Sequence, residues 1–106
     1  MNDILPALAD MLEQRRSADA ATSYTAKLLQ GDTEKILKKI IEEAGEVLMA
    51  AKDGDREHLV YETADLWFHS MILLAQQGIR VENVLAELAR RQGVSGLAEK
   101  AARQPS

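Results

Sequence analysis

Apolar residues recur along most of the chain at the three- and four-residue spacing of an α-helix. The spacing predicts a first helix over about Ile4–Arg16, with Pro6 tolerated in its first turn. A connector, Ser17–Gln30, contains a short segment, Ser23–Leu29, with room for one or two helical turns. No stretch alternates apolar and polar residues for long, so the sequence predicts no strand.

Longer helices follow, separated by glycines, and they are predicted over Thr33–Lys52, Arg56–Gln77 and Val81–Gln92. Gly54 can take the left-handed conformation that ends a helix, and Asp55 can cap the next helix. A short last helix is predicted after Ser95 or Gly96. The fold class is therefore all-α, a compact helical bundle.

The predicted helix over Arg56–Gln77 is apolar nearly all round, which is typical of a helix that is buried on most sides. One neighbouring helix cannot cover such a surface, and this chain has few helices to spare. We therefore expect an obligate homodimer with this helix at its centre. The alternative is a compact monomeric bundle.

Length and composition predict one domain, 1–106, with an N-terminal helix and connector over 1–22 and the core over 23–103. There is no cysteine for a disulfide or a thiol nucleophile. No signal peptide is apparent and no apolar run is long enough to span a membrane, so we expect a cytoplasmic protein. A net charge of −4 argues against broad nucleic-acid binding.

Two acidic clusters lie on either side of Gly54: the first is Glu42, Glu43 and Glu46, and the second is Glu62 and Asp65. At ~1.5 Å rise per residue, the helical arms from the turn to Glu46 and to Glu62 are about 12 Å and about 10.5 Å long. If the two helices fold back on each other, both clusters reach the same level. Carboxylates that converge repel one another unless a cation lies among them, so this is a candidate divalent-metal site.

The second cluster strengthens the metal hypothesis, because Glu62 and Asp65 interrupt an apolar helix and unpaired buried carboxylates cost several kcal/mol each. For the first cluster a solvated face remains an alternative, with surface ion pairs Lys38–Glu42 and Lys39–Glu43. Carboxylate oxygens favour Mg²⁺ or Mn²⁺, and these cations suit phosphate substrates. Without a cysteine or an evident Ser–His–Asp arrangement, water is the expected nucleophile.

Other site chemistries fit less well. The segment 31–35 lacks the paired glycines and the Lys-Ser/Thr ending of a P-loop. His58 and His69 share a stripe with Glu62 and Asp65, but neither follows a glutamate by three residues as a di-iron bundle requires. We expect each histidine to be a hydrogen-bonded residue at the edge of the site rather than a ligand.

The pattern Glu-Glu-x-x-Glu followed by Glu-x-x-Asp resembles the signature of the all-alpha nucleotide pyrophosphohydrolases, the MazG-like superfamily. The wider stretch from Ser23 to Arg103 closely resembles the phosphoribosyl-ATP pyrophosphatase family of histidine biosynthesis, through SYTAKLL, KILKKI, EEAGEV, AAKDGD, LVYETADLWFH, ELARRQGVSG and EKAAR. The chain departs from that pattern at Ile41, Trp67-Phe68 and Ala102, which bears on packing more than on activity.

The resemblance implies Mg²⁺-dependent hydrolysis of phosphoribosyl-ATP to phosphoribosyl-AMP and pyrophosphate, with Mn²⁺ as a substitute ion. It implies metal ligands at Glu43, Glu46, Glu62 and Asp65, with Glu42 as a further ligand or a residue that orients the attacking water. Candidates for holding the phosphates are Lys27, Lys35, Lys38, Lys39, Arg90, Arg91 and Lys100. The alternatives are a house-cleaning nucleoside triphosphate pyrophosphohydrolase and a non-catalytic dimeric helical adaptor.

Overall fold

The computed structural model of the chain describes residues 3–93, which form five α-helices and, within that range, no strand. The helices are α1 (Ile4–Arg15), α2 (Tyr24–Gln30), α3 (Thr33–Asp53), α4 (Arg56–Gln76) and α5 (Val81–Gln92). The predicted all-α class is confirmed, and every helix predicted in this range has ends within one residue of the expected ones. The predicted helix after Ser95 or Gly96 lies outside the described residues.

Helices α3 and α4 form an antiparallel hairpin, the most extensive helix pair of the described chain. Gly54 ends α3 in the left-handed conformation, with a φ of 71° that costs glycine nothing. Asp55 begins α4 as its N-cap, because its carboxylate accepts the backbone N–H of His58 at 3.1 Å. The turn predicted from the sequence is therefore confirmed.

The hydrophobic core lies at the open end of this hairpin, away from Gly54. Leu12, Ile36 and Ile72 are its fully buried large side chains, and they bring together α1, the start of α3 and the end of α4. The short helix α2 adds Leu28 and Leu29 to the same core. The middle of the hairpin, where the acidic residues lie, is therefore held between a packed end and a capped turn.

Helix α4 is covered on one side only by the described residues. Its buried residues face α3 and the core, whereas Val60, Tyr61 and Trp67 are 70%, 65% and 58% exposed. Among residues 3–93, burial of α4 on most sides, which its composition predicts, is thus not found, because the three other described helices are short. No helix in the described part of the chain is long and apolar enough to cross a membrane.

Candidate active site

Acidic side chains from α3 and α4 converge in the middle of the hairpin. Glu43, Glu62 and Asp65 place carboxylate oxygen atoms within 4.8 Å of one another. A second group with the same spacing contains Glu46, His58 and Glu62, so Glu62 belongs to both groups. The convergence predicted from the lengths of the two helical arms is confirmed for Glu43, Glu46, Glu62 and Asp65, but not for Glu42. We call Glu43, Glu46, Glu62 and Asp65 the carboxylate cluster.

Burial differs among the members of the carboxylate cluster. The side chains of Glu62 and Glu43 are only 11% and 12% exposed, Asp65 is half-buried, and Glu46 is exposed. Burial raises the pKa of Glu43. The electrostatic interaction with His69 opposes that rise, and the negative charges of Asp65 and Glu62 add to it. The fold therefore holds Glu43 where its negative charge is unfavourable.

The donor set of the carboxylate cluster fits a divalent cation. Within residues 3–93, no lysine or arginine nitrogen lies within 4.0 Å of a cluster carboxylate, and the close nitrogen partners are His58 and His69. The negative charge of the cluster is therefore not neutralised by its neighbours. Mg²⁺ and Mn²⁺ prefer negatively charged oxygen ligands of this kind. A solvated face does not describe Glu43, since that carboxylate is largely buried.

Both histidines of α4 are hydrogen-bonded, as their positions beside the acidic residues predict. His58 Nε2 lies 3.0 Å from Glu62 Oε2. His69 Nδ1 lies 2.7 Å from Glu43 Oε1 and 3.0 Å from the carbonyl oxygen of Asp65. Because His58 also belongs to the group with Glu46 and Glu62, its imidazole is an additional candidate ligand that the sequence does not favour.

A cleft of about 550 Å³ opens on the neighbouring face of α3, a usual size for a small-molecule site. Its lining residues come from α2, the turn after it and α3, and they are Tyr24, Lys27, Leu28, Gly31, Lys35, Lys38, Lys39 and Glu42. We call it the lysine cleft. Four lysines predicted to hold phosphates therefore lie together. Lys35, Lys38 and Lys39 share one face of α3, and Lys27 joins them from α2.

The lysine cleft carries uncompensated positive charge. Within the described chain, Lys27, Lys35 and Lys38 have no carboxylate oxygen within 4.0 Å, and Lys39 approaches Glu42 at 3.9 Å. The ion pairs Lys38–Glu42 and Lys39–Glu43, offered above as the alternative, are therefore not the ones that form. Cations without partners in a concave surface attract anions.

Glu42 lines the lysine cleft and belongs to neither group of converging ligand atoms. Two neighbouring residues of α3 thus lie in different parts of the site: Glu42 lines the lysine cleft, and Glu43 belongs to the carboxylate cluster. Of the candidate metal ligands predicted from the sequence, Glu42 is therefore the one that the hairpin does not bring to the others.

The arginines of α5 lie away from the lysine cleft. Arg90 and Arg91 donate hydrogen bonds to Glu87, at 2.6 Å and 3.0 Å, and the two guanidinium groups lower the pKa of Glu87 to about 2. They are not among the residues that line the lysine cleft. Lys100 lies outside the described residues.

One member of the site escapes the sequence analysis. The hydroxyl of Tyr24 lies 3.1 Å from His69 Nε2, so this tyrosine joins the wall of the lysine cleft to the carboxylate cluster. The two residues are 45 positions apart. The sequence places Tyr24 in the segment SYTAKLL, but no periodicity shows which distant side chain it meets.

Known proteins match the chain over nearly its full length. A family model described as phosphoribosyl-ATP pyrophosphohydrolase matches residues 5–92. A protein named phosphoribosyl-ATP pyrophosphatase from Neisseria gonorrhoeae is 61% identical over 105 residues, which are 99% of this chain and 98% of that protein. Proteins of the same name from Nitrosomonas eutropha and Chromobacterium violaceum are 57% and 55% identical; they align with 94% and 98% of this chain and with 86% and 96% of their own lengths. The chain belongs to the phosphoribosyl-ATP pyrophosphohydrolase family.

Proposed function

We propose that the chain hydrolyses phosphoribosyl-ATP to phosphoribosyl-AMP and pyrophosphate, an early step of histidine biosynthesis, and that it needs Mg²⁺. The observation that carries the proposal is the lysine cleft directly beside the carboxylate cluster, with Glu42 in one and Glu43 in the other. A polyphosphate needs cations along its length and a divalent ion at the bond that breaks. The names of the full-length relatives give the substrate.

The carboxylate cluster would hold the ion, and Mn²⁺ would be an acceptable substitute. The bound ion would neutralise charge that develops on the departing pyrophosphate. Lys27, Lys35, Lys38 and Lys39 bind the phosphate oxygens along the cleft. These cations fix the α-phosphorus next to the cluster, so that a water molecule can approach it from one side.

Hydrolysis forms one bond and breaks another. The water oxygen bonds to the α-phosphorus and loses a proton to the solvent, while the bond from that phosphorus to the bridging oxygen breaks and pyrophosphate leaves with the electron pair. Glu42 accepts a hydrogen bond from the attacking water and orients it, since its carboxylate faces the cleft and is exposed. Arg90 and Arg91 would join the substrate only by exchanging Glu87 for a phosphate, and Lys100 remains a further candidate.

Turnover on phosphoribosyl-ATP, compared with turnover on a panel of ordinary and damaged nucleoside triphosphates, tests the substrate. We expect kcat/KM to favour phosphoribosyl-ATP clearly.

Lys38→Gln should raise KM, whereas Lys52→Gln, on the same helix but outside the cleft, should leave KM unchanged. Preference for triphosphates would instead identify a house-cleaning enzyme, and no pyrophosphate release with Mg²⁺ would identify an adaptor.

We further infer a cytoplasmic homodimer in which a second copy covers the outer side of α4. Trp67 lies between two apolar depressions, one with Leu59, Val60, Thr63 and Ala64 and the other with residues of α1 and α5. Together they form an apolar surface larger than scattered exposed residues produce. Trp67→Glu should halve the mass found by sedimentation, whereas Gln77→Glu, which adds the same charge at the exposed end of α4, should not.

A further inference from the structure

His69 is buried where three helices meet, and its surroundings fix which nitrogen carries a proton. Nδ1 faces two acceptors, the Glu43 carboxylate at 2.7 Å and the Asp65 carbonyl oxygen at 3.0 Å. Neither group can donate while Glu43 is ionised, so Nδ1 must carry the hydrogen. Nε2 then accepts the hydroxyl hydrogen of Tyr24 at 3.1 Å in the neutral ring. Every polar atom of the ring has a partner.

Aromatic packing holds the His69 ring in this orientation. The rings of Tyr24 and Phe68 both meet it edge-on, with centroid distances of 6.2 Å and 5.9 Å. His69 is only 7% exposed, so its ring has no room to turn into solvent. A ring that two aromatic side chains contact and whose two nitrogens are both hydrogen-bonded gives its hydrogen bond to Glu43 a fixed direction.

Tyr24 is held at the other end of this chain of contacts. It is the first residue of α2, whose N-cap Ser23 accepts the backbone N–H of Ala26 at 3.1 Å. Arg15 donates to the same Ser23 hydroxyl at 3.2 Å and so ties this cap to α1. The Tyr24 ring is 53% exposed on the wall of the lysine cleft, while its hydroxyl reaches His69.

We propose that His69 is a positioning residue that orients the Glu43 carboxylate for the divalent cation, and that Tyr24 fixes the His69 ring from the cleft wall. The proposal rests on the proposed function, in which the carboxylate cluster holds such a cation. One Glu43 oxygen accepts the Nδ1 hydrogen, which leaves the other oxygen for the ion. Without that bond, repulsion from Glu62 and Asp65 would turn the carboxylate away.

Two amide substitutions at His69 separate the two ring nitrogens. The amide of Asn lies where Nδ1 lies, so His69→Asn keeps a donor to Glu43. The amide of Gln lies where Nε2 lies, so His69→Gln keeps a partner for Tyr24 and loses the donor to Glu43. Residues that orient ligands typically change metal affinity about 10–100-fold, so we expect His69→Gln to bind Mn²⁺ at least about tenfold more weakly than His69→Asn.

The dissociation constant of Mn²⁺, measured by electron paramagnetic resonance on the full chain without substrate, is the decisive quantity. Equal affinity of the Asn and Gln variants, whether both match the native protein or both fall below it, would overturn the positioning role. If the native protein itself binds no Mn²⁺, the proposed cation site fails, and this result is distinct from failure of the role of His69.

Tyr24→Phe provides a second variant that does not depend on how His69→Gln folds. It keeps the exposed ring and removes only the hydroxyl, so we expect weaker Mn²⁺ binding without a matching loss of Tm. Tyr61→Phe removes a hydroxyl from another exposed tyrosine, 65% exposed on α4, and should leave Mn²⁺ binding unchanged. Identical Mn²⁺ affinity in the native protein and in Tyr24→Phe would overturn the role of Tyr24.

Discussion

Glutamates on α3 and on α5 carry the same side chain in opposite surroundings. Glu43 lies among acidic residues in the middle of the hairpin, where burial first, and then Asp65 and Glu62, raise its pKa. Glu87 lies at the surface between two arginines of its own helix, which lower its pKa to about 2. Both residues are hydrogen-bonded, so hydrogen bonding alone does not distinguish them.

The contrast shows which carboxylates the chain leaves uncompensated. On α5, residues three and four positions along the same helix neutralise Glu87, and the result is an exposed ion pair that contributes little to stability. In the carboxylate cluster, charges from two helices converge, and within residues 3–93 no lysine or arginine nitrogen lies within 4.0 Å of them. Negative charge that is kept at a cost in stability, as the raised pKa of Glu43 indicates, is typical of a functional site and supports the proposed cation site.

Removal of one cluster charge should have the largest effect on activity. Loss of a single preorganised electrostatic group typically lowers kcat by about 10²–10³, so Asp65→Asn and Glu46→Gln should each lose at least about 100-fold in pyrophosphate release. Far-ultraviolet circular dichroism and sedimentation should show a folded dimer in both variants. Glu87→Gln, on α5, is the matched control and should retain near-native turnover. Native activity in both cluster variants would show that the cluster is not the catalytic centre.

Addition of Mg²⁺ should stabilise the protein through the carboxylate cluster alone. At 100 times its dissociation constant, a ligand that binds only the folded state adds about 2.7 kcal/mol, which raises the Tm of a domain of this size by about 10 °C or more. Thermal unfolding with and without Mg²⁺, at matched ionic strength, measures this shift. The shift should be lost in Asp65→Asn and kept in Glu87→Gln. An equal shift in all three proteins would mean that Mg²⁺ acts elsewhere.

Neutral substitutions at Glu43 and Glu87 should change stability in opposite directions when divalent ions are absent. Because the surroundings disfavour the charge of Glu43, Glu43→Gln should raise the free energy of unfolding by about 1 kcal/mol at pH 7, a usual size for one substitution. Glu87→Gln removes a carboxylate that arginines stabilise and should lower Tm slightly. Denaturant unfolding in EDTA measures both. A Glu43→Gln protein that is less stable than the native one would show that the hydrogen bond from His69 outweighs the repulsion.

The pH dependence of the same variants gives the smallest effect. A carboxylate whose pKa is lowered by folding stabilises the fold at a pH above its ordinary pKa, and this contribution is lost as the pH falls. The Tm difference between the native protein and Glu87→Gln should therefore vanish as the pH falls from 4.5 to about 2. A raised pKa has the opposite effect, because ionisation then destabilises the fold. The higher stability of Glu43→Gln should therefore appear only as the pH rises above the ordinary pKa of glutamate. Added salt should reduce the Glu87 difference, since exposed pairs are screened.

Much of the site can be predicted from the sequence, because its residues either recur at helical spacing on one helix or lie at similar distances from the turn at Gly54. Three of the four cleft lysines share a face of α3, and the acidic residues lie at similar distances from Gly54. The contact of Tyr24 with His69 does not follow, because it joins α2 to α4 across 45 residues and depends on how α2 packs. The distance between His58 and Glu46 does not follow from the sequence either, since it depends on how the hairpin packs rather than on either helix.

The amino-acid sequence by itself determines the helices, the capped turn at Gly54 and the level at which the acidic residues meet, since local hydrogen bonding and a constant rise per residue control all three. Only the tertiary structure decides how deeply each charged side chain is buried and which partner it meets. Packing at the hairpin buries Glu43 and aligns His69 with it. These relations depend on the distances between helices, which no pattern within a single helix contains.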